Sequence, residues 1–364
     1  MPKLFFYVGK NRNWLKLISK GYFPDFIYLP KFFYFLITSL LFKPLRIIEN
    51  IFFNRKIRRH LPNKNPIFIL GHMRSGTTHL HNILSCDTNL TFPNTLQAYT
   101  FGFCILAQKF ISPFIKSFTP KKRYMDNMQV SMNLPQEEEF SIFSISEHSF
   151  FYHMFFPKKA NDFFTKYVLF ENLTEREIKQ WKHVFYSLMQ KFSYIGNGKP
   201  LLIKNPVNTS RFEILMDIFP DARFVNIVRN PYEVFVSTKH LYNKLLPICQ
   251  LQKLNKNKIE ENILTFYELQ MKKYCEKKHK INPENLIEIK YEELINEPTK
   301  TLKRIYDHFN LSDFENQNIH FQNYLKSISG YKTNTFEISK SDIEKVNKNW
   351  GFAFDEFKYT MQFC

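Results

Sequence analysis

Gly71-His72-Met73-Arg74-Ser75-Gly76-Thr77-Thr78 combines two glycines, three hydroxyls and a cation in a spacing that could hold a phosphate. Glycines let a turn bring backbone N–H groups together, and the positive end of a following helix favours an anion. Gly71 and Gly76 have the separation of the nucleotide-binding pattern G-x-x-x-x-G-K-[ST]. The lysine of that pattern is missing: Thr77 stands in its place, and the cation has moved back to Arg74. Nor does an apolar run end in an aspartate suited to magnesium, since Arg223 to Val228 is followed by Arg229. A transferred γ-phosphate with Mg²⁺ therefore lacks its usual partners. The pattern predicts a loop for a phosphate that is not itself transferred.

Short apolar runs bounded by turn residues would position that loop. Pro66 to Leu70, Pro200 to Ile203 and Arg223 to Val228 each precede a helical pattern, and Asn285 to Tyr291 is a fourth candidate. Buried strands alternating with helices predict an α/β fold, a P-loop-like parallel sheet flanked by helices. About 130 Phe-rich residues separate the first and second strands. They read as a large helical insertion, of the kind that builds an acceptor pocket at the carboxyl edge of a parallel sheet. The turn-rich stretch Leu61 to Pro66 divides a hydrophobic and basic N-terminal region, residues 1–60, from a catalytic domain over 61–364.

Within the N-terminal region, Phe32 to Phe42 is an apolar run of eleven residues flanked by Lys43, Arg46 and the cluster Arg55-Lys56-Ile57-Arg58-Arg59. Crossing a bilayer takes about 20 apolar residues. Two readings stand level: a helix on a membrane face, or a helix packed on the catalytic domain. A transmembrane span ranks behind both. The formal net charge is +18, and the 41 phenylalanines with abundant Lys, Asn and Ile suggest a bias toward AT-rich codons. Lysines spread by such a bias argue against a nucleic-acid partner, while a basic protein suits an anionic ligand or membrane surface. Five cysteines with no C-x-x-C pair favour a reducing, cytoplasmic location without disulfides or metal.

Arg74-Ser75-Gly76-Thr77-Thr78 resembles the 5′-phosphosulfate loop of sulfotransferases that use 3′-phosphoadenosine 5′-phosphosulfate (PAPS). Val228 to Ser237, about 150 residues later, is similar to that family's 3′-phosphate site, whose Arg and Ser correspond to Arg229 and Ser237. Further resembling segments include Met125-Asp126-Asn127, Pro135 to Phe140, Lys204-Asn205-Pro206, Phe219 to Phe224, Tyr291 to Leu294 and Gly330 to Asn334. They point to the bacterial-type branch related to tyrosylprotein sulfotransferases and cover about residues 66 to 350. The glycine-rich G-x-x-G-x-x-K of cytosolic sulfotransferases is absent, and the resemblance leaves Tyr331, Lys332 and Asn334 to take its place.

The resemblance implies metal-free transfer of a sulfonate from PAPS to a hydroxyl. In-line displacement needs a base for the acceptor proton and cations for the leaving phosphate oxygen. Arg74 is the expected leaving-group cation, aided by Thr77 and Thr78, and Lys204 is the second. For the base, the acidic run Glu137-Glu138-Glu139 remains, with Glu137 and Glu139 matching family glutamates; a solvated helix start is the alternative. His79 and His81 lack the spacing of a metal pair, and His81 should face pocket or core. Phe150 to Phe156 should be core more than acceptor pocket. A lipid, glycan, metabolite or protein tyrosine could accept, with a tilt toward the lipophilic. The rival readings are a P-loop kinase or NTPase, and a membrane-bound nucleotide module without catalysis.

Overall fold

The computed structural model describes residues 7–111, 131–330 and 334–363. They fall into two compact units: residues 63–91, 199–241 and 260–364 form one, and residues 1–62, 92–198 and 242–259 the other.

The first unit holds a four-stranded parallel sheet: β1 (Ile67–Leu70), β2 (Leu202–Lys204), β3 (Arg223–Val228) and β4 (Leu286–Lys290), in the order β2-β1-β3-β4. Phe68 pairs with Ile203 on one side and Phe224 on the other, and Val225 pairs with Ile287. The two inner strands and β2 are buried almost throughout, which explains why they read as continuous apolar runs. β4 lies at the edge and alternates, with Ile287 and Ile289 inward and Glu288 exposed. Helices follow the strands, among them Thr77–Leu84 after β1, Phe212–Ile218 after β2, Pro231–Cys249 after β3 and Tyr291–Asn296 after β4. From β1 the chain passes first to one side and then to the other, so the switch point lies between β1 and β3. Ligands of open α/β sheets bind at the carboxyl ends of the strands flanking such a point.

The second unit is helical. Trp14 on the Asn11–Ser19 helix is fully buried among Phe35, Phe143, Tyr152, Phe155 and Phe156. All of Phe150 to Phe156 except Phe151 is buried, so this aromatic run is core as expected. The apolar N-terminal run lies in the Leu29–Leu41 helix, and Lys43–Arg59 follows it. A buried ion pair holds the latter: Lys191 Nζ meets Glu49 Oε1 at 2.5 Å, and Glu49 Oε2 accepts the Leu106 N–H at 2.9 Å.

Candidate active site

β1 ends at Leu70 and the chain turns at once, with φ of 127° at Gly71 and 94° at Gly76. A Cβ on Gly71 would lie 2.3 Å from the Ile227 carbonyl oxygen, and one on Gly76 would lie 2.2 Å from the Tyr291 ring. Both positions are thus restricted to glycine by backbone conformation and by contact. The Gly71 N–H donates to Thr209 Oγ1 at 2.8 Å, tying the loop to the segment after β2. Arg74 is left-handed as well, at φ 71°. A non-glycine residue keeps that conformation when its surroundings over-determine it. Here Arg74 Nε donates to Ser237 Oγ at 2.9 Å, and the Arg74 carbonyl accepts from Arg229 Nη1 at 3.4 Å. The loop runs into the Thr77–Leu84 helix, whose first N–H groups have no acceptor within the helix and whose dipole favours an anion there.

Arg229 follows the last residue of β3. Its Nε donates to Glu233 Oε2 at 2.8 Å, Nη2 reaches the same oxygen at 2.5 Å, and the guanidinium lies 4.4 Å from the Tyr291 ring centroid. Asn230 Oδ1 accepts the Tyr232 N–H at 3.0 Å and starts the Pro231–Cys249 helix, with Pro231 in its first turn. Ser237, two turns on, is buried. Tyr291 fills the space beside Gly76 and carries Arg229 on its face. Burial raises its phenol pKa, while the Arg229 charge pulls the other way.

β2 ends in Lys204, which is buried and donates through Nζ to Thr78 Oγ1 at 3.3 Å. His81, one turn beyond Thr78, is fully buried, answering the expectation of pocket or core with core. Burial, and secondarily the Lys204 charge, holds its pKa well below the usual histidine range. Burial also pushes His72 and His79 down to about 4, so all three imidazoles are neutral at pH 7.

The acidic run belongs to the helical unit. Glu139 is buried, and its Oε1 accepts from Ser149 Oγ at 2.7 Å and from the Phe150 N–H at 2.8 Å. Glu137 is half-buried, and its N–H donates to Gln136 Oε1 at 3.0 Å. Tyr331 and Lys332 lie outside the described residues, as does Met125-Asp126-Asn127. Asn334 is half-buried in the irregular stretch before the Lys340–Phe357 helix. The sheet unit therefore brings together Arg74, Ser75, Gly76, Thr77, Thr78, Lys204, Arg229 and Ser237.

Four residues of this network had no assigned role in the sequence: Thr209, Glu233, Tyr291 and Glu292. Glu292 accepts the Asn230 N–H at 3.2 Å and the Tyr359 hydroxyl at 2.8 Å. The signal for three of them was present, because Glu233 lies within Val228 to Ser237 and Tyr291-Glu292-Glu293-Leu294 is also among the resembling segments. Thr209 carries no motif.

Residues 66–316 match the model of a family described as the sulfotransferase family. Relatives in Mycobacterium bovis and Mycobacterium tuberculosis, both named omega-hydroxy-beta-dihydromenaquinone-9 sulfotransferase Stf3, are 30% identical over 360 residues. That alignment covers 97% of this chain and 91% of theirs. Among solved structures, sulfotransferase STF1 from Mycobacterium tuberculosis H37Rv superposes with a TM-score of 0.67 at 16% identity, over 93% of this chain and 90% of that one. Sulfotransferase STF9 from Mycobacterium avium gives a TM-score of 0.69 at 15% identity, over 97% and 88%. At those identities the likeness is one of fold.

Proposed function

Because the chain belongs to the sulfotransferase family, we propose that it moves a sulfonate from PAPS to the hydroxyl of a lipophilic acceptor. The observation that carries this reading is the hydrogen bond from Arg74 Nε to Ser237 Oγ, which joins residues 163 apart in sequence, with Arg229 on the Arg74 carbonyl. A loop suited to one phosphate and an Arg–Ser pair suited to another thus adjoin where β1 and β3 end. That donor set fits a nucleotide with one anionic group at its 5′ end and a second at its 3′ position.

On this reading Ser75, Gly76, Thr77 and Thr78 hold the 5′-phosphosulfate, and Arg229 and Ser237 grip the 3′-phosphate. Tyr331, Lys332 and Asn334 supply the remaining contacts. Bound PAPS supplies a sulfonate joined to a phosphate leaving group. Arg74 and Lys204, the latter oriented by Thr78, stabilise the negative charge that develops as the sulfur–oxygen bond to that phosphate breaks. A glutamate takes the acceptor proton as the new oxygen–sulfur bond forms. Glu139 is buried, and its Oε1 is already engaged by the Ser149 hydroxyl and the Phe150 N–H, which fixes the side chain in the core of the helical unit. Glu137 is therefore our first choice for the base, with Glu139 anchoring the run.

The names of the mycobacterial relatives, which specify an omega-hydroxylated dihydromenaquinone, support a lipophilic acceptor. We further propose a cytoplasmic enzyme that works at a membrane, where such a lipid alcohol would lie, with 61–364 as catalytic domain and residues 1–60 packed with 92–198 in the helical unit. The test is incubation of the purified chain with PAPS and a detergent-solubilised ω-hydroxylated polyprenyl quinone, followed by mass spectrometry. A sulfate ester formed by the wild type and not by Arg229→Ala is expected. ATP-dependent phosphorylation of the same alcohol, with no ester, overturns the reading.

A further inference from the structure

The two helices Leu29–Leu41 and Lys43–Arg59 turn large apolar side chains to the surface. On the first, Phe33, Ile37, Leu40 and Leu41 share one face by their spacing and are all exposed, Leu41 at 68%. Its inward residues are Phe32 and Phe35, which pack on Trp14, together with Thr38 and Ser39, whose hydroxyls donate to the carbonyls of Tyr7 and Gly9. On the second helix the usual pattern is inverted. Its one buried residue is Glu49, 2% exposed and paired with Lys191, while Ile47, Ile48, Ile51 and Phe52 point outward. Ile51 and Phe52 are 70% and 67% exposed. Eight large apolar residues exposed on two consecutive helices, with an acid turned inward on the second, form a patch that scattered single exposures do not produce and that suits a surface whose solvent is not water.

Charge selects the occupant. Residues 26–59 hold seven Lys or Arg and a single acidic residue, Glu49, which is buried against Lys191. Lys43, Arg55, Lys56, Arg58 and Arg59 are exposed, the last four at the end of the helix that carries Ile51 and Phe52. An apolar face edged by cations matches acyl chains beneath anionic headgroups. By length and composition Phe26–Arg59 could cross a membrane. Its first helix, however, has 13 residues, about 20 Å against a hydrocarbon core of about 30 Å. The second is fixed to the protein by the Glu49–Lys191 pair, itself buried among protein groups.

We propose that these two helices dock the enzyme on an anionic bilayer, lying in one leaflet without spanning it. The proposal deepens the reading of a lipid acceptor, and its test needs neither acceptor nor catalysis. Full-length protein is floated with vesicles of phosphatidylglycerol and, separately, of phosphatidylcholine, alongside I51D/F52D and R55E/R58E variants, with PAP (the desulfonated nucleotide) binding measured on each. The wild type should float with the anionic vesicles, less so at high salt. R55E/R58E should lose at least tenfold in binding, on a scale of about fivefold per cation, and I51D/F52D should stay in solution, both with unchanged PAP affinity. Equal recovery of wild type and both variants with the vesicles overturns the proposal. So does a stable dimer in sedimentation that I51D/F52D converts to monomer, because the apolar face would then belong to a second copy. Loss of PAP binding in the wild type would strike at the sulfonate-transfer reading instead.

Discussion

Removing the Arg229 guanidinium should cost PAP affinity while leaving the fold intact. The structure sets the size of the effect. Arg229 is already oriented by Glu233 on Nε and Nη2 and by the Tyr291 ring, so little rotamer entropy is lost on binding. A charge-assisted hydrogen bond contributes about 1.5–3 kcal/mol. Two bonds to one phosphate, discounted because Glu233 already neutralises part of the charge, come to about 3 kcal/mol. At 1.4 kcal/mol per tenfold, Arg229→Ala should then raise the PAP dissociation constant by about 150-fold. Stability should change little, because the Glu233 side chain is 47% exposed and such pairs contribute about 0–1 kcal/mol. Arg229→Lys should fall between, keeping the charge and losing the planar fork. Calorimetric titration with PAP measures all three proteins. An Arg229→Ala protein that binds PAP within threefold of wild type, with the same melting temperature, would refute the assignment of this arginine to a phosphate.

Other consequences follow from the same contacts. Gly76→Ala places a methyl against the Tyr291 ring at a left-handed φ and should destabilise by about 2–4 kcal/mol, partly recovered by Tyr291→Ala; urea melts of the three variants check it. Breaking the buried pair with Lys191→Met should cost about 3–5 kcal/mol, and pairing it with Glu49→Leu should restore much of that, read from the same melts. His72 and His153 are buried with pKa pushed down to about 4, against an ordinary value of 6.5. Between those values the unfolded chain binds more protons, so stability rises with pH and is lost as pH falls from 6.5 toward 4. Calorimetric melts at pH 7.5 and 5.0 should show the drop, and equal melting temperatures would contradict it. Glu137→Gln should keep PAP affinity and lose turnover in the sulfate-ester assay, and full turnover would remove Glu137 as the base.

The strands were legible in the sequence because β1, β2 and β3 are buried on both faces, so their apolar runs stand out within residue 66–70, 200–203 and 223–228 windows. The phosphate motifs were legible for a local reason as well: the turn after β1 needs glycine where φ is positive, and Asn230-Pro231 starts a helix. What joins them was not. The Arg74–Ser237 bond spans 163 residues, and the support of Gly71 by Thr209 spans 138, with no local pattern announcing either. Arg74 itself gave no hint of a left-handed backbone, since its residue type disfavours one. The N-terminal helices were half legible. Their hydrophobic and basic content is plain in the sequence, yet only the packing reveals that Glu49, Thr38 and Ser39 face inward while Ile51 and Phe52 face out.

The central claim is a phosphate grip that fits PAPS and not a magnesium triphosphate, and thermal melting with PAP or with ATP–Mg²⁺ tests it most directly. A specific ligand at 100 times its dissociation constant adds about 2.7 kcal/mol of stability. PAP should raise the melting temperature of the wild type by several degrees, with a smaller shift for Ser237→Ala, and ATP–Mg²⁺ should leave the wild type unchanged. A rise with ATP–Mg²⁺ and none with PAP would contradict the account at its root, because Thr77 and Arg74 would then be serving the chemistry that their replacement of the P-loop lysine argues against.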